Sequence, residues 1–207
     1  MNCIYAWLID NCIEVTGALL TLLFLYLEVT RKWTMWIVGI LSGLFYIYIN
    51  FNAQLYALAG LCSYNVAVSV YGIYCWKFAR TKNNETLPFH FITKALTARL
   101  VLTGLMVFAA IAFILIRFTD IASPWESPGT LFAFVFDNLI TTLSILAAWM
   151  AARKIVESWY LWMFINPCTI ALYVYKGMYP STILYVVYAI FSVVGYIQWR
   201  KIAVQDK

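Results

Sequence analysis

The segment WTMWIVGILSGLFYIYINFNAQLYALAGLCSYNVAVSVYGIYCW, residues 33–76, decides the fold. It is a run of 44 uncharged residues between Lys32 and Lys77, more than twice the roughly 20 that cross a bilayer core as a helix. Polar residues around 51–54 divide it into two helices. The whole chain has the same character: 64% of its 207 residues are hydrophobic and 11% are charged, where soluble domains average about 45–50% and about 25%. A soluble globular protein is excluded. The apolar runs are continuous and not alternating, so strands of a membrane barrel are excluded as well.

Charged and turn residues punctuate the chain into seven expected spans, 12–29, 33–51, 54–76, 98–117, 130–152, 159–175 and 180–199. Glu14 and Glu28 bound the first and are expected at the membrane interfaces. With seven spans, Arg31, Lys32, Lys77, Arg80, Lys82, Lys94, Arg99, Arg153, Lys154, Arg200, Lys201 and Lys207 fall on the side of the C-terminus. Only Arg117 and Lys176 fall on the other. This 12 to 2 division places the C-terminus in the cytoplasm and the N-terminus outside. The net charge of +5 is therefore topological and implies no nucleic-acid partner. Cys3, Cys12, Cys62, Cys75 and Cys168 form no C-x-x-C and lie mostly in apolar runs, so they read as packing residues, not a metal site or disulfide framework. No cleaved signal peptide is expected.

The chain repeats itself. Trp33-x-x-Trp36 recurs as Trp159-x-x-Trp162 at an offset of 126, Gly72-x-x-x-Trp76-Lys77 as Gly195-x-x-x-Trp199-Arg200 at 123, and Asp10-Asn11 as Asp137-Asn138 at 127. The expected unit is three helices, used as spans 1–3 and again as spans 5–7. Three spans end on the opposite side from where they began, so span 4 restores the starting side and makes the copies parallel. Residues 1–78 form the first bundle, 79–128 a cytoplasmic loop with linking helix 4, and 129–207 the second bundle. Repeats of this kind commonly enclose a substrate site between them near the bilayer midplane, which makes a transporter the leading class.

Spans 2, 3, 6 and 7 carry aromatic and amide side chains where ionisable groups are scarce. Polar groups in hydrocarbon are costly unless they face a bundle or a cavity. Trp162 and Asn166 lie four residues apart on one helix face, and Asn65 offers a second amide from the other copy. A ring beside amides suits a flat heterocycle, cationic or neutral, that carries hydroxyls. Against this stand plainer readings: Trp33, Tyr56, Trp159, Tyr160 and Trp199 near span ends as an interfacial belt, and Asn65 and Asn166 as interhelical hydrogen bonds. Pro167 is expected to kink span 6. Asp137, a carboxylate within a span, could pair with a cationic substrate or relay protons, but it is expected to cap a helix or make a structural hydrogen bond. No buried Lys, Arg or His stands ready as its proton partner, and His90 lies in the polar loop. There is no G-x-x-x-x-G-K-[ST] phosphate loop, and no catalytic constellation or cofactor motif, so an ATP-driven pump and an enzyme are both unsupported.

Read together, Trp36-x-x-Gly39, Tyr71-Gly72-x-x-x-Trp76, Ala152-Arg153-Lys154-x-x-Glu157-x-Trp159-x-x-Trp162-x-x-x-Asn166, Tyr175-x-Gly177-x-Tyr179 and Gly195-Tyr196-x-x-Trp199 make the chain resemble the PnuC family of bacterial vitamin transporters, from about Glu14 to Arg200. Ile37 stands where the family often has Pro. The resemblance implies an all-α integral membrane protein of the bacterial inner membrane, with seven transmembrane helices as 3+1+3 parallel repeats, SWEET-like and trimeric. It implies facilitated diffusion of nicotinamide riboside, trapped by a cytoplasmic kinase, with thiamine carried by close relatives and riboflavin-type cargo in others. It further implies that Trp162 and Asn166 bind substrate, with Trp36, Asn65, Tyr71 and Trp76 as candidates by repeat symmetry. A non-transporting scaffold or sensor is the reading of a different class.

Overall fold

The structure, a computed structural model, describes residues 12–52, 56–80, 87–118, 128–175 and 179–205. It is all-helical. Seven α-helices run in order: α1 (Cys12–Val29), α2 (Met35–Asn52), α3 (Tyr56–Ile73), α4 (Lys94–Phe118), α5 (Pro128–Ala152), α6 (Ser158–Tyr175) and α7 (Tyr179–Gln205). Lys94–Arg117, Gly129–Ala152 and Thr182–Gln205 are long and apolar enough to cross a membrane on their own, while Leu19–Val29 and Met35–Tyr48 are shorter apolar stretches. The 18-residue helices α1, α2, α3 and α6 are each about 27 Å long. The α-helix of expected span 3 stops at Ile73 and the chain continues as a π-helical turn, Tyr74–Phe78, closed by the Ala79 N–H donating to the Tyr74 carbonyl at 2.7 Å. Helix α6 continues through Pro167.

Helices α1 and α5 end alike. The Lys32 N–H donates to Leu27 and the Arg31 N–H to Glu28 at 2.9 and 3.0 Å; the Ile155 N–H donates to Met150 and the Lys154 N–H to Ala151, both at 3.0 Å. These are Schellman closures, and their left-handed residues are Arg31 (φ 61°) and Lys154 (φ 58°) in place of glycine. A non-glycine residue there costs about 1–2 kcal/mol, offset by carbonyls that would otherwise go unpaired. Each closure turns the chain at once into the next helix.

The same 123-residue offset governs the packing. The π-turn residue Trp76 donates from Nε1 to the Ala151 carbonyl at 3.3 Å, and Trp199 donates to the Glu28 carbonyl at 3.3 Å. Gly72 lies against the Trp36 ring and Gly195 against the Trp159 ring. Trp36 therefore corresponds to Trp159, and the 126 offset that matched Trp33 with Trp159 and Trp36 with Trp162 is corrected. It followed a string likeness one helical turn out of step with the contacts. The first member of the Asp10-Asn11 pair lies outside the described residues.

Neighbouring helices pack as α1–α2, α2–α3, α3–α5, α5–α6, α6–α7 and α7–α1, closing a ring, and α4 packs on α5. At one end, where Lys77, Lys94, Lys154 and Arg200 gather, Trp36, Trp76, Trp159 and Trp199 form a buried aromatic cluster. Trp76 and Trp199 stand 5.7 Å apart, with the Phe89 ring 5.6 Å from one and 4.9 Å from the other. Phe89 belongs to a strap, residues 87–92. The His90 N–H donates to Lys154 O and the Val156 N–H to His90 O, the Ile92 N–H donates to a Glu157 carboxylate oxygen at 2.9 Å, and Lys154 Nζ donates to Leu87 O at 2.7 Å. Trp159 and Trp199, expected in an interfacial belt, are 1% and 0% exposed: a glycine opposite one ring and a carbonyl opposite the other's N–H give both a place inside. Trp33 keeps a belt-like position, half-buried with Lys77 Nζ 4.3 Å from its ring centroid.

Candidate functional site

Beside the aromatic cluster the ring of helices lines a partly open cavity of about 310 Å3. Its wall follows the 123 offset pair by pair. Leu25 and Ala148, Glu28 and Ala151, Trp36 and Trp159, Gly39 and Trp162, Gly43 and Asn166, Asn65 and Tyr188, and Ser69 and Ser192 all line it. The cavity thus lies between α1–α3 and α5–α7, where equivalent residues face one another.

Two of these pairs are symmetric in chemistry, Trp36 with Trp159 and Ser69 with Ser192. The others are not. Trp162 and Asn166 project from α6, while their counterparts Gly39 and Gly43 on α2 carry no side chain. The glycines also let the helices approach, since a Cβ at Gly39 would meet Ser69 Oγ at 2.7 Å and one at Gly43 would meet Val66 Cγ2 at 2.5 Å. The cavity is therefore lopsided at particular pairs: Glu28 answers to Ala151, Asn65 to Tyr188, and Trp162 and Asn166 to glycines.

Of the residues singled out from the sequence, Trp36, Asn65, Trp162 and Asn166 come together on this wall. Asn166 is 3% exposed. Neither Asn65 nor Asn166 hydrogen-bonds through its amide among the described residues, so the interhelical tie considered for them does not form there. The indole N–H groups of Trp36, Trp159 and Trp162 are buried without an acceptor. Buried donors normally have partners; these three N–H groups have none among the described residues.

Tyr71 and Trp76 do not reach the wall. Tyr71 accepts a hydrogen bond from Arg153 at 3.4 Å, and Trp76 serves the aromatic closure beside the cavity. The sequence reading also missed residues. Glu28, expected at an interface, is 6% exposed and lines the cavity, because α1 ends only at Val29 and its last turn is covered by α7. Trp159 lines it too; the 123 spacing of Gly72 and Gly195 was the signal that would have paired it with Trp36. Asp137 lies inside α5 with its side chain exposed, so it caps no helix and stands away from the cavity. Its neighbour Asn138 is the structural residue, donating to Phe108 O at 3.1 Å and tying α5 to α4.

A bundle of apolar helices around an internal cavity of rings, amides and hydroxyls defines a membrane transporter, and its relatives place it in that class and not among enzymes. The profile of the nicotinamide mononucleotide transporter family matches residues 11–201, and the chain belongs to that family. It is 28% identical over 204 residues to the nicotinamide riboside transporter PnuC of Escherichia coli (strain K12), covering 90% of this chain and 84% of that one. It is 26% identical over 188 residues to the riboflavin/roseoflavin transporter RibM of Streptomyces davaonensis, covering 90% and 83%. A crystal structure of the vitamin B3 transporter PnuC has the same fold, with a TM-score of 0.73 at 20% identity, covering 100% of this chain and 88% of that one.

Proposed function

We propose that the protein is a multi-pass inner-membrane carrier that brings nicotinamide riboside into the cytoplasm by facilitated diffusion, with a cytoplasmic kinase trapping the product. Residues 1–78 and 129–207 are its two parallel three-helix bundles and 79–128 its loop and linking helix, a SWEET-like arrangement of seven spans that works as a homotrimer. The N-terminus lies outside and the C-terminus inside. The 123-residue recurrence supports the parallel copies, and the lopsided distribution of Lys and Arg supports the orientation.

One observation carries the choice of cargo. The cavity wall joins Trp36, Trp162, Asn65 and Asn166 and, among the described residues, holds no Lys, Arg or His. A flat ring stacks on the indoles and ribose hydroxyls meet the amides, whereas a phosphate ester would enter without a cation to receive it. The nucleoside therefore fits better than the nucleotide for which the family is named. A volume of about 310 Å3 is at the small end of the roughly 300–1,000 Å3 of small-molecule sites, which favours one ring over the three fused rings of a flavin. Thiamine has the same flat, cationic, hydroxylated character and is the second reading.

Calorimetry on the purified protein decides among them. Nicotinamide riboside is expected to bind, and nicotinamide mononucleotide and riboflavin to bind far more weakly. Binding of thiamine alone would move the cargo and keep the mechanism; silence from all four would favour a non-transporting role.

A further inference from the structure

Among the described residues, Glu28 is the only charged side chain on the cavity wall. The fold does not require it. The backbone duty at this position, accepting the cross-bundle N–H of Trp199, is performed in the other half by Ala151, which accepts from Trp76 at the same 3.3 Å. Position 28 thus has a structural role that alanine fills equally well, and the carboxylate is additional to it.

That carboxylate is poorly provided for. The residue is 6% exposed, and no described residue gives its carboxylate a hydrogen bond or an ion pair. Cations nearby are engaged or turned away: Lys154 on Leu87 O and the Trp76 ring, Arg153 on Tyr71, Arg31 exposed on its left-handed turn. A buried carboxylate without a partner is costly, and a purely structural one is normally given donors. The missing partner is a positive charge that arrives with the cargo.

We propose that Glu28 is the counter-charge for a cationic ring bound between Trp36 and Trp162, and that it sets the charge class of the cargo: monocations are taken, neutral isosteres are disfavoured. The proposal rests on the transporter reading of this cavity. It adds that selectivity is decided by charge as well as by shape, through one residue whose counterpart in the other half is Ala151.

The test compares nicotinamide riboside with its reduced dihydropyridine form, which has nearly the same shape and a neutral ring, in the full-length protein in detergent by calorimetry. Loss of a close counter-charge from a buried site corresponds to about a tenfold or larger change. The wild type is expected to prefer the cation by at least about tenfold, and Glu28→Gln to lose that preference while binding the neutral form within about threefold of wild type. Retained binding of the neutral form also shows that the variant is folded. Equal affinity of the wild type for both forms overturns the proposal without any variant, and so does equal weakening of both in Glu28→Gln. If neither form binds the wild type, thiamine separates the two readings. Thiamine binding that is weakened in Glu28→Gln keeps the counter-charge and removes the riboside, and its failure to bind removes both.

Discussion

Replacing Gly195 with Ala tests the packing on which the cavity wall rests. A Cβ at Gly195 falls 2.4–2.7 Å from three atoms of the Trp159 ring, and one at Gly72 meets the Trp36 ring at the same 2.4–2.7 Å. Ordinary contact begins at 3.4 Å, so in an interior packed as densely as an organic crystal each ring must retreat by about 1 Å. Both rings are already packed, Trp159 on Trp199 at 5.3 Å and Trp36 between Trp76 at 6.0 Å and Phe24 at 6.2 Å, so retreat is hindered except toward the cavity they line. Helix propensity opposes the clash, since Ala is favoured over Gly by about 0.8–1.0 kcal/mol. Overpacking costs about 1–3 kcal/mol, and a rigid indole takes the upper part of that range. A net loss on the order of 1–2 kcal/mol is expected at each site. Gly60 is the control, exposed and with nothing within 4 Å of its Cβ position, so Gly60→Ala keeps only the propensity gain. Gly104, whose Cβ would meet the flexible Leu146 Cδ1 at 3.1 Å, falls between. Thermal unfolding of the monodisperse variants in detergent should rank Gly60→Ala at or above wild type, then Gly104→Ala, then Gly72→Ala and Gly195→Ala together. Gly195→Ala unfolding at or above wild type would refute the reasoning, as would Gly60→Ala proving equally damaging.

Trp162→Ala or Asn166→Ala should weaken substrate binding by about tenfold or more while the protein elutes unchanged; uptake at the wild-type rate in both would remove them from the site. Trp76→Phe and Trp199→Phe each delete one 3.3 Å hydrogen bond and should cost about 0.5–1.5 kcal/mol apiece, with unfolding temperatures that fall by equal amounts. Lys154→Met removes the 2.7 Å bond to Leu87 O and should expose the 87–92 strap, read as faster proteolytic cleavage there with the bundle intact. Uptake measured with the trapping kinase present should be unchanged when the proton gradient is collapsed, and free substrate accumulating above its external level would contradict this.

The helices were legible because apolar runs of membrane length have few alternative folds. Their ends were less so. Lys154 and Arg31 end helices in a conformation usually given to glycine, and neither residue announces it. The repeat was legible in outline but not in register, since Trp33 and Trp36 offer two matches to Trp159 and only the contact with Gly72 or Gly195 distinguishes them. The same blindness hid Trp159, Trp199 and Glu28. All three lie near the ends of apolar runs, where an aromatic or acidic residue ordinarily meets the interface, and what takes them inside is a partner on a helix far away in the chain. Trp162 and Asn166 were found because their relation is local, one turn of one helix.

The division between what the two halves share and where they differ bears on mechanism. Shared are the Schellman turns, the Trp–Gly contacts and the crossed Trp76–Ala151 and Trp199–Glu28 hydrogen bonds, all gathered at the basic end. On the proposed reading, opening that end means parting those two bonds and lifting Phe89. The differences, Glu28 against Ala151, Gly39 against Trp162 and Gly43 against Asn166, lie on the cavity wall. Substitutions there change which ligand is held without touching the bonds that govern opening. One gate can in this way serve different cargoes, and relatives of this chain are named for nicotinamide riboside and for riboflavin.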